Sequence, residues 1–97
     1  MPFDVLREER IWEVVRLFEW CASEGLHPRV NSKDGRMVIC SGGYVYETEE
    51  ELSARTDTFL ERAGVWAPFT TELYGLNETE EGRFILLDAY SIYQEEA

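Results

Sequence analysis

Basic side chains are scarce in this chain: nine Lys and Arg stand against 20 Asp and Glu in 97 residues, a net charge of −11. A field of that sign repels nucleic-acid phosphates and anionic membrane surfaces, so it disfavours direct DNA or lipid binding and favours basic partners. Long apolar runs are missing as well. No stretch approaches the ~20 apolar residues of a transmembrane helix, and the start, Met1-Pro2-Phe3-Asp4, lacks the basic and apolar regions of a signal peptide. The expectation is a soluble, cytoplasmic protein. Two cysteines, Cys21 and Cys40, are too few for a disulfide scaffold and sit in apolar segments, so reduced core thiols are expected, with a single bridge as the alternative. They lack C-x-x-C or His/Cys spacing, which argues against zinc. No glycine-rich phosphate loop is present, Gly42-Gly43 being better suited to a hairpin turn.

Histidine is limited to His27, just before Pro28. An imidazole there could act as a general base, but nothing near it in sequence reads as its nucleophile or orienting carboxylate. A carboxylate pair suited to glycoside chemistry is a matter of three-dimensional separation, and with 20 acids some pair arises by chance. No catalytic residue, metal ligand or cofactor is therefore assigned. A small hydrolase using His27 or two close acids stays open as a third reading, to be recognised by a concave pocket converging on them.

What the sequence does contain is enough apolar matter to fold: 44% hydrophobic and 13% aromatic residues, within the length of one domain spanning 1–97. From Asp4 to Glu24, Ile11, Val14, Val15, Phe18, Cys21 and Ala22 recur at helical spacing, with Asp4 as N-cap and Gly25 as the stop. Turn signals at 31–35 and 41–43 then separate short Val-, Ile- and Tyr-rich runs. These predict a meander of strands at about 28–31, 36–40 and 44–47. Met37 and Ile39 share one face of the middle strand, Val38 and Cys40 the other, so both faces are largely apolar. Tyr44 and Tyr46 share a face. Thr48-Glu49-Glu50-Glu51 reads as a capping box: the Thr48 hydroxyl takes the Glu51 N–H and the Glu51 carboxylate reaches back to the Thr48 N–H. It opens a second helix over 49–63, with Leu52, Phe59, Leu60 and Ala63 as its stripe and Gly64 at C′.

After a connection at 65–68, residues 69–76 read as a strand, 77–82 as an acidic loop, and 83–93 as a last strand dense in β-favouring residues. A helix capped at Thr79 competes for that last segment; Gly82 in its first turn and three aromatics weigh against it. A polar tail from about residue 94 is expected to fray. The predicted class is α+β: about five antiparallel strands and two helices on one face, in the order α-β-β-β-α-β-β.

Charge is polarised along the chain. Segment 27–46, with Arg29, Lys33 and Arg36, carries +2, while 47–62 carries −4 and 63–97 carries −6. Glu47, Glu49 and Glu50 with Glu51 form one cluster, and Glu78, Glu80 and Glu81 a second. Solubility and helix capping are one account of this pattern; the other is a partner whose Lys or Arg offsets the self-repulsion of the clustered acids. Trp20 falls outside the apolar stripe of the first helix, among Glu13, Arg16, Ser23 and Glu24. It is either a solvent-facing interface anchor or covered by a second element.

An acidic α+β body of about a hundred residues without a catalytic motif resembles small phage-encoded inhibitors, notably anti-CRISPR proteins, some of which mimic nucleic acid; bacterial immunity proteins against nuclease toxins are similar. The resemblance implies a stoichiometric inhibitor bound to the basic nucleic-acid-binding face of a nuclease or CRISPR-type effector through Glu47, Glu49, Glu50, Glu78, Glu80 and Glu81, with Trp20 as apolar anchor. The alternative is a regulatory or structural interaction module, homodimeric or not, that uses exposed aromatics or a sheet edge. Reversal of Glu78, Glu80 and Glu81 to Lys is expected to abolish binding without unfolding a polar loop.

Overall fold

In the computed structural model, which describes residues 3–55 and 63–96, the first apolar stripe forms helix α1 (Phe3–Ser23). Val14, Val15, Leu17, Phe18 and Cys21 are its buried side chains. The helix ends in a Schellman motif: Leu26 N–H bonds the Cys21 carbonyl at 2.9 Å and Gly25 N–H bonds that of Ala22 at 3.1 Å. Asp4 lies inside the first turn, one residue past the observed start.

The meander follows as β1 (His27–Val30), β2 (Met37–Ser41) and β3 (Tyr44–Tyr46), antiparallel in the order β1-β2-β3. The first turn is held by Asn31 and Asp34, whose side-chain oxygens accept the N–H groups of Lys33 and Arg36. The second is a two-residue hairpin with Gly42 at φ +55° and Gly43 at φ +83°, the doubly left-handed backbone that only glycine adopts without strain. The sheet is two-sided in character. Pro28, Val30, Met37, Ile39 and Tyr46 are buried on one face, whereas His27, Arg29 and Val45 are exposed on the other, with Val38 and Cys40 half-buried between them.

Thr48 caps α2 (Glu49–Arg55) as expected, its hydroxyl accepting the Glu51 N–H at 3.1 Å. The reciprocal bond lands one residue earlier than expected, the Glu51 carboxylate accepting the N–H of Glu47 at 2.9 Å. Phe59 and Leu60, expected on the same helix, lie outside the described residues.

Beyond this point the expected strands do not form. The predicted connection at 65–68 and strand at 69–76 are one helix, α3 (Ala63–Leu76), and Gly64, expected to end a helix, lies in its first turn. The predicted strand at 83–93 is helix α4 (Glu80–Glu96), which also absorbs the expected frayed tail. The architecture among the described residues is therefore four helices and a three-stranded sheet, in the order α-β-β-β-α-α-α, and not five strands with two helices. The α+β class and the one-faced packing of helices stand.

Burial explains both corrections. Along α3, Thr70 and Leu73 are buried, and along α4 so are Gly82, Ile85, Leu86 and Ala89: helical spacing in segments whose composition favours strands. α4 starts where the competing reading put it, with the Thr79 hydroxyl accepting the Gly82 N–H at 2.9 Å. Gly82 does not break this helix. It lets the first turn of α4 press on the end of α3, where an added Cβ would come within 2.2 Å of the Leu76 carbonyl oxygen.

The core sits between the covered sheet face and the helices. Phe18 of α1 packs edge-on to Tyr90 and Tyr93 of α4, with ring centroids 6.2 and 5.7 Å apart. Tyr74 of α3 donates its hydroxyl to the Tyr46 carbonyl of β3 at 2.6 Å. Burial pushes the Tyr74 phenol well above its ordinary range.

Candidate functional site

The segments carrying the two acidic clusters are stitched together by α3. The Thr71 hydroxyl donates to the Glu49 carboxylate at 2.6 Å, which ties the start of α2 to the middle of α3. At the far end of α3, the Asn77 side chain accepts the Met37 N–H at 2.7 Å and donates to the Met37 carbonyl at 3.0 Å. Glu78 follows directly. A depression of about 540 Å³ is lined by Glu47, Thr48 and Asn77, by Arg29 of β1, and by Asp34 and Arg36 of the first turn. Asp34 and Arg36 also line a depression with Glu80, so the first turn borders a member of each cluster.

Glu47, Glu50, Glu78, Glu80 and Glu81 are exposed and Glu49 is half-buried. Among the described residues none of the six is in an ion pair. The ion pairs are Arg7 with Asp88 and Arg10 with both Glu13 and Glu72. The six do not form an unbroken negative sheet, however. Lys33, Arg36 and Arg83 share a depression of about 360 Å³ with Glu80, so the basic turn makes a notch between the two acidic groups. Glu80 and Glu81 also belong to the first turn of α4 rather than to a loop. Their charges complement the positive end of a helix, and reversing them has a structural cost that the sequence reading did not count.

Trp20 is half-buried and stacks on Phe69 of α3, centroids 4.8 Å apart at 32°. The solvent-facing placement is corrected: a second element covers it. Trp12, eight positions earlier, is 40% exposed. Tyr44 and Tyr46 do share a face, rings 5.0 Å apart, with Tyr46 in the core and Tyr44 open to solvent.

His27 and Cys40 are register partners on the uncovered sheet face, a juxtaposition that sequence separation hides. Their shallow depression, of about 330 Å³, is lined by Arg29, Ser41, Gly42, Gly43 and Val45 and holds no carboxylate to orient the ring. Cys40 is thus half-buried on the outer face and not a core thiol, while Cys21 is fully buried; both are free. Burial pushes the Cys21 thiol up to about 12. No group of three or more His, Cys, Asp and Glu among the described residues is placed to hold a metal, and no described helix is long and apolar enough to cross a membrane.

Two features were not read from the sequence. Asn77 passed for part of an acidic loop, although a lone Asn between an apolar run and Glu78 is a plausible turn anchor. Glu19 of α1 and Glu96 of α4 are electrostatic neighbours. Desolvation first, then the Glu19 side chain and its charge, hold the Glu96 carboxyl above its ordinary value. Nothing in a polar terminal tail signalled that pairing. No protein-family model, curated protein or solved structure matches this chain.

Proposed function

We propose that this protein acts by stoichiometric association with a basic protein surface, the nucleic-acid-binding face of a nuclease or CRISPR-type effector being the target class, and that Glu47, Glu49, Glu50, Glu78, Glu80 and Glu81 supply the contact. The observation that supports this reading is the exposure of Glu47, Glu50, Glu78, Glu80 and Glu81, with Glu49 half-buried, none of the six being in an ion pair among the described residues. Unpaired charge of one sign at this density favours a partner of the opposite sign and steers its approach. The notch of Lys33, Arg36 and Arg83 adds selectivity, since a matching surface must present an acid where the acidic rim is interrupted. Covering of Trp20 by Phe69 reduces its part as an anchor, leaving the contact mostly polar.

The test is affinity capture from a host lysate, followed by mass spectrometry, at about 50 mM and about 300 mM salt, across which screening shortens the reach of surface charge severalfold. Wild type is compared with the double reversal Glu47→Lys/Glu78→Lys, whose native carboxylates make no hydrogen bond among the described residues. Partners that bind at low salt, leave at high salt and ignore the double variant support the proposal; partners that are indifferent to both salt and reversal refute it.

A second reading draws on the outer sheet face, where exposed Val45, His27 and Arg29 surround half-buried Val38 and Cys40. That face suits an interaction module, including a homodimer, held by apolar contact. Sedimentation showing a salt-insensitive dimer that a Val45→Lys change dissociates would favour this reading over the first.

A further inference from the structure

Helix α1 has a second stripe, which meets the core only at Trp20. Glu9, Trp12, Glu13, Arg16 and Trp20 fall at helical spacing on one side, away from the buried set of Val14, Val15, Phe18 and Cys21. Two neighbouring depressions of about 510 and 360 Å³ lie along this side and share Glu13 and Arg16; the pair is termed the groove. Its floor is aromatic: Trp12 at one end, Trp20 against Phe69 at the other. Its rim is acidic: Glu8, Glu9, Glu13 and Glu72. Glu13 and Glu72 are already bridged by Arg10, whereas Glu8 and Glu9 are exposed and in no ion pair among the described residues.

We propose that this groove binds an extended, arginine-bearing peptide segment of a protein partner, with a guanidinium laid on the face of Trp12 and its charge met by Glu8 and Glu9. Aromatic faces and carboxylates attract the same ligand class: the ring quadrupole draws a cation and the acids pair with it. Charge decides among possible occupants. A neutral apolar segment would desolvate Glu8 and Glu9 without compensation, and a second copy of the chain would bring a further charge of −11 to the contact. From Trp12 to Trp20 the helix rises about 12 Å, which an extended chain spans in about four residues. Two arginines at that spacing reach both ends of the groove. Arg16 lines both depressions and is the cation the peptide must displace or avoid. The groove shares only Trp20 with the residues of the proposed acidic contact and does not depend on that contact forming.

The test titrates the full chain with a fluorescein-labelled peptide, Gly-Arg-Gly-Ser-Gly-Arg-Gly, and with a control carrying Gln for both Arg, followed by anisotropy and by indole N–H signals assigned through Trp12→Phe and Trp20→Phe. The expected result is saturable binding of the arginine peptide alone, with both signals shifted. Trp12→Leu, which keeps apolar area and removes the indole face, is expected to weaken binding about two- to fivefold. Glu8→Gln/Glu9→Gln is expected to weaken it about fivefold, and Arg16→Gln to tighten it. Circular dichroism checks that each variant is folded. The proposal is overturned if binding does not saturate, if Trp12→Leu binds like wild type, or if Glu47→Lys/Glu78→Lys weakens binding as much as the Glu8/Glu9 change, which would mark attraction to net charge alone.

Discussion

Gly82 and Leu76 approach so closely that a single methyl group on Gly82 would enter the carbonyl of Leu76, 2.2 Å from its oxygen. This contact lets α4 leave α3 at the three-residue turn 77–79 and return along α1. It also yields a paired prediction. Gly82→Ala should destabilise the protein by about 1–3 kcal/mol, overpacking outweighing alanine's better helix propensity. Gly75→Ala, on an exposed turn of α3 with open space around it, should stabilise by about 0.5–1 kcal/mol. Urea midpoints of the two variants should move in opposite directions; a shared direction would remove the close contact as the reason for glycine at 82.

Asn77 replaces a neighbouring strand at the start of β2, satisfying both backbone groups of Met37. Asn77→Ala leaves a part-buried N–H and C=O unmet and should cost about 2–3 kcal/mol. Asn77→Asp keeps the acceptor, loses the donor and should fall between the two. Amide exchange at Met37 should accelerate in Asn77→Ala more than at Ile39, whose place in the ladder is unchanged.

The Cys21 thiol is raised to about 12 in the folded chain from an ordinary 9.0. The folded state therefore holds its proton more tightly than the unfolded state. Its contribution to stability is full below pH 9 and is lost as pH rises toward 12, by about 1.4 kcal/mol per pH unit. Urea denaturation under reducing conditions between pH 8 and 11 should show a steeper loss in wild type than in Cys21→Ala. Parallel curves would mean that the thiol is not desolvated as described.

Reversal of Glu80 and Glu81 to Lys places two cations on the positive end of α4 and should cost about 1–2 kcal/mol at low ionic strength. Reversal of Glu47 and Glu78, exposed and free of side-chain hydrogen bonds, should leave stability unchanged or slightly raised because net repulsion falls. Added salt should shrink the difference between the two pairs. Equal thermal midpoints at low salt would show that the α4 acids serve solvation and not the helix.

The first half of the fold was legible because its signals are local. Gly25, Asn31, Gly42-Gly43 and Thr48 act within a few residues of themselves, and the structure places a stop, two turns and a cap at each of them. The second half was misread because its local signals point the wrong way. Pro68, Gly64, Gly75 and paired threonines argue against α3, and aromatic density argues against α4, yet burial at helical spacing overrides them. The candidate site divided in the same manner: which residues are acidic was plain, but not that α3 ties down Glu49 through Thr71, nor that Arg29 and Arg36 border Glu47 and Lys33 and Arg36 border Glu80.

By itself, the order of amino acids determined the net charge, the apolar stripe of α1, the hairpins and the start of α2, since each follows from composition or from contacts between near neighbours. Only the tertiary structure decided that Ala63–Leu76 and Glu80–Glu96 are helices, that Phe69 covers Trp20, and that Trp20 shares a depression with Glu72. Those outcomes depend on surfaces contributed by segments far apart in the chain, whose burial free energy exceeds the sum of local preferences.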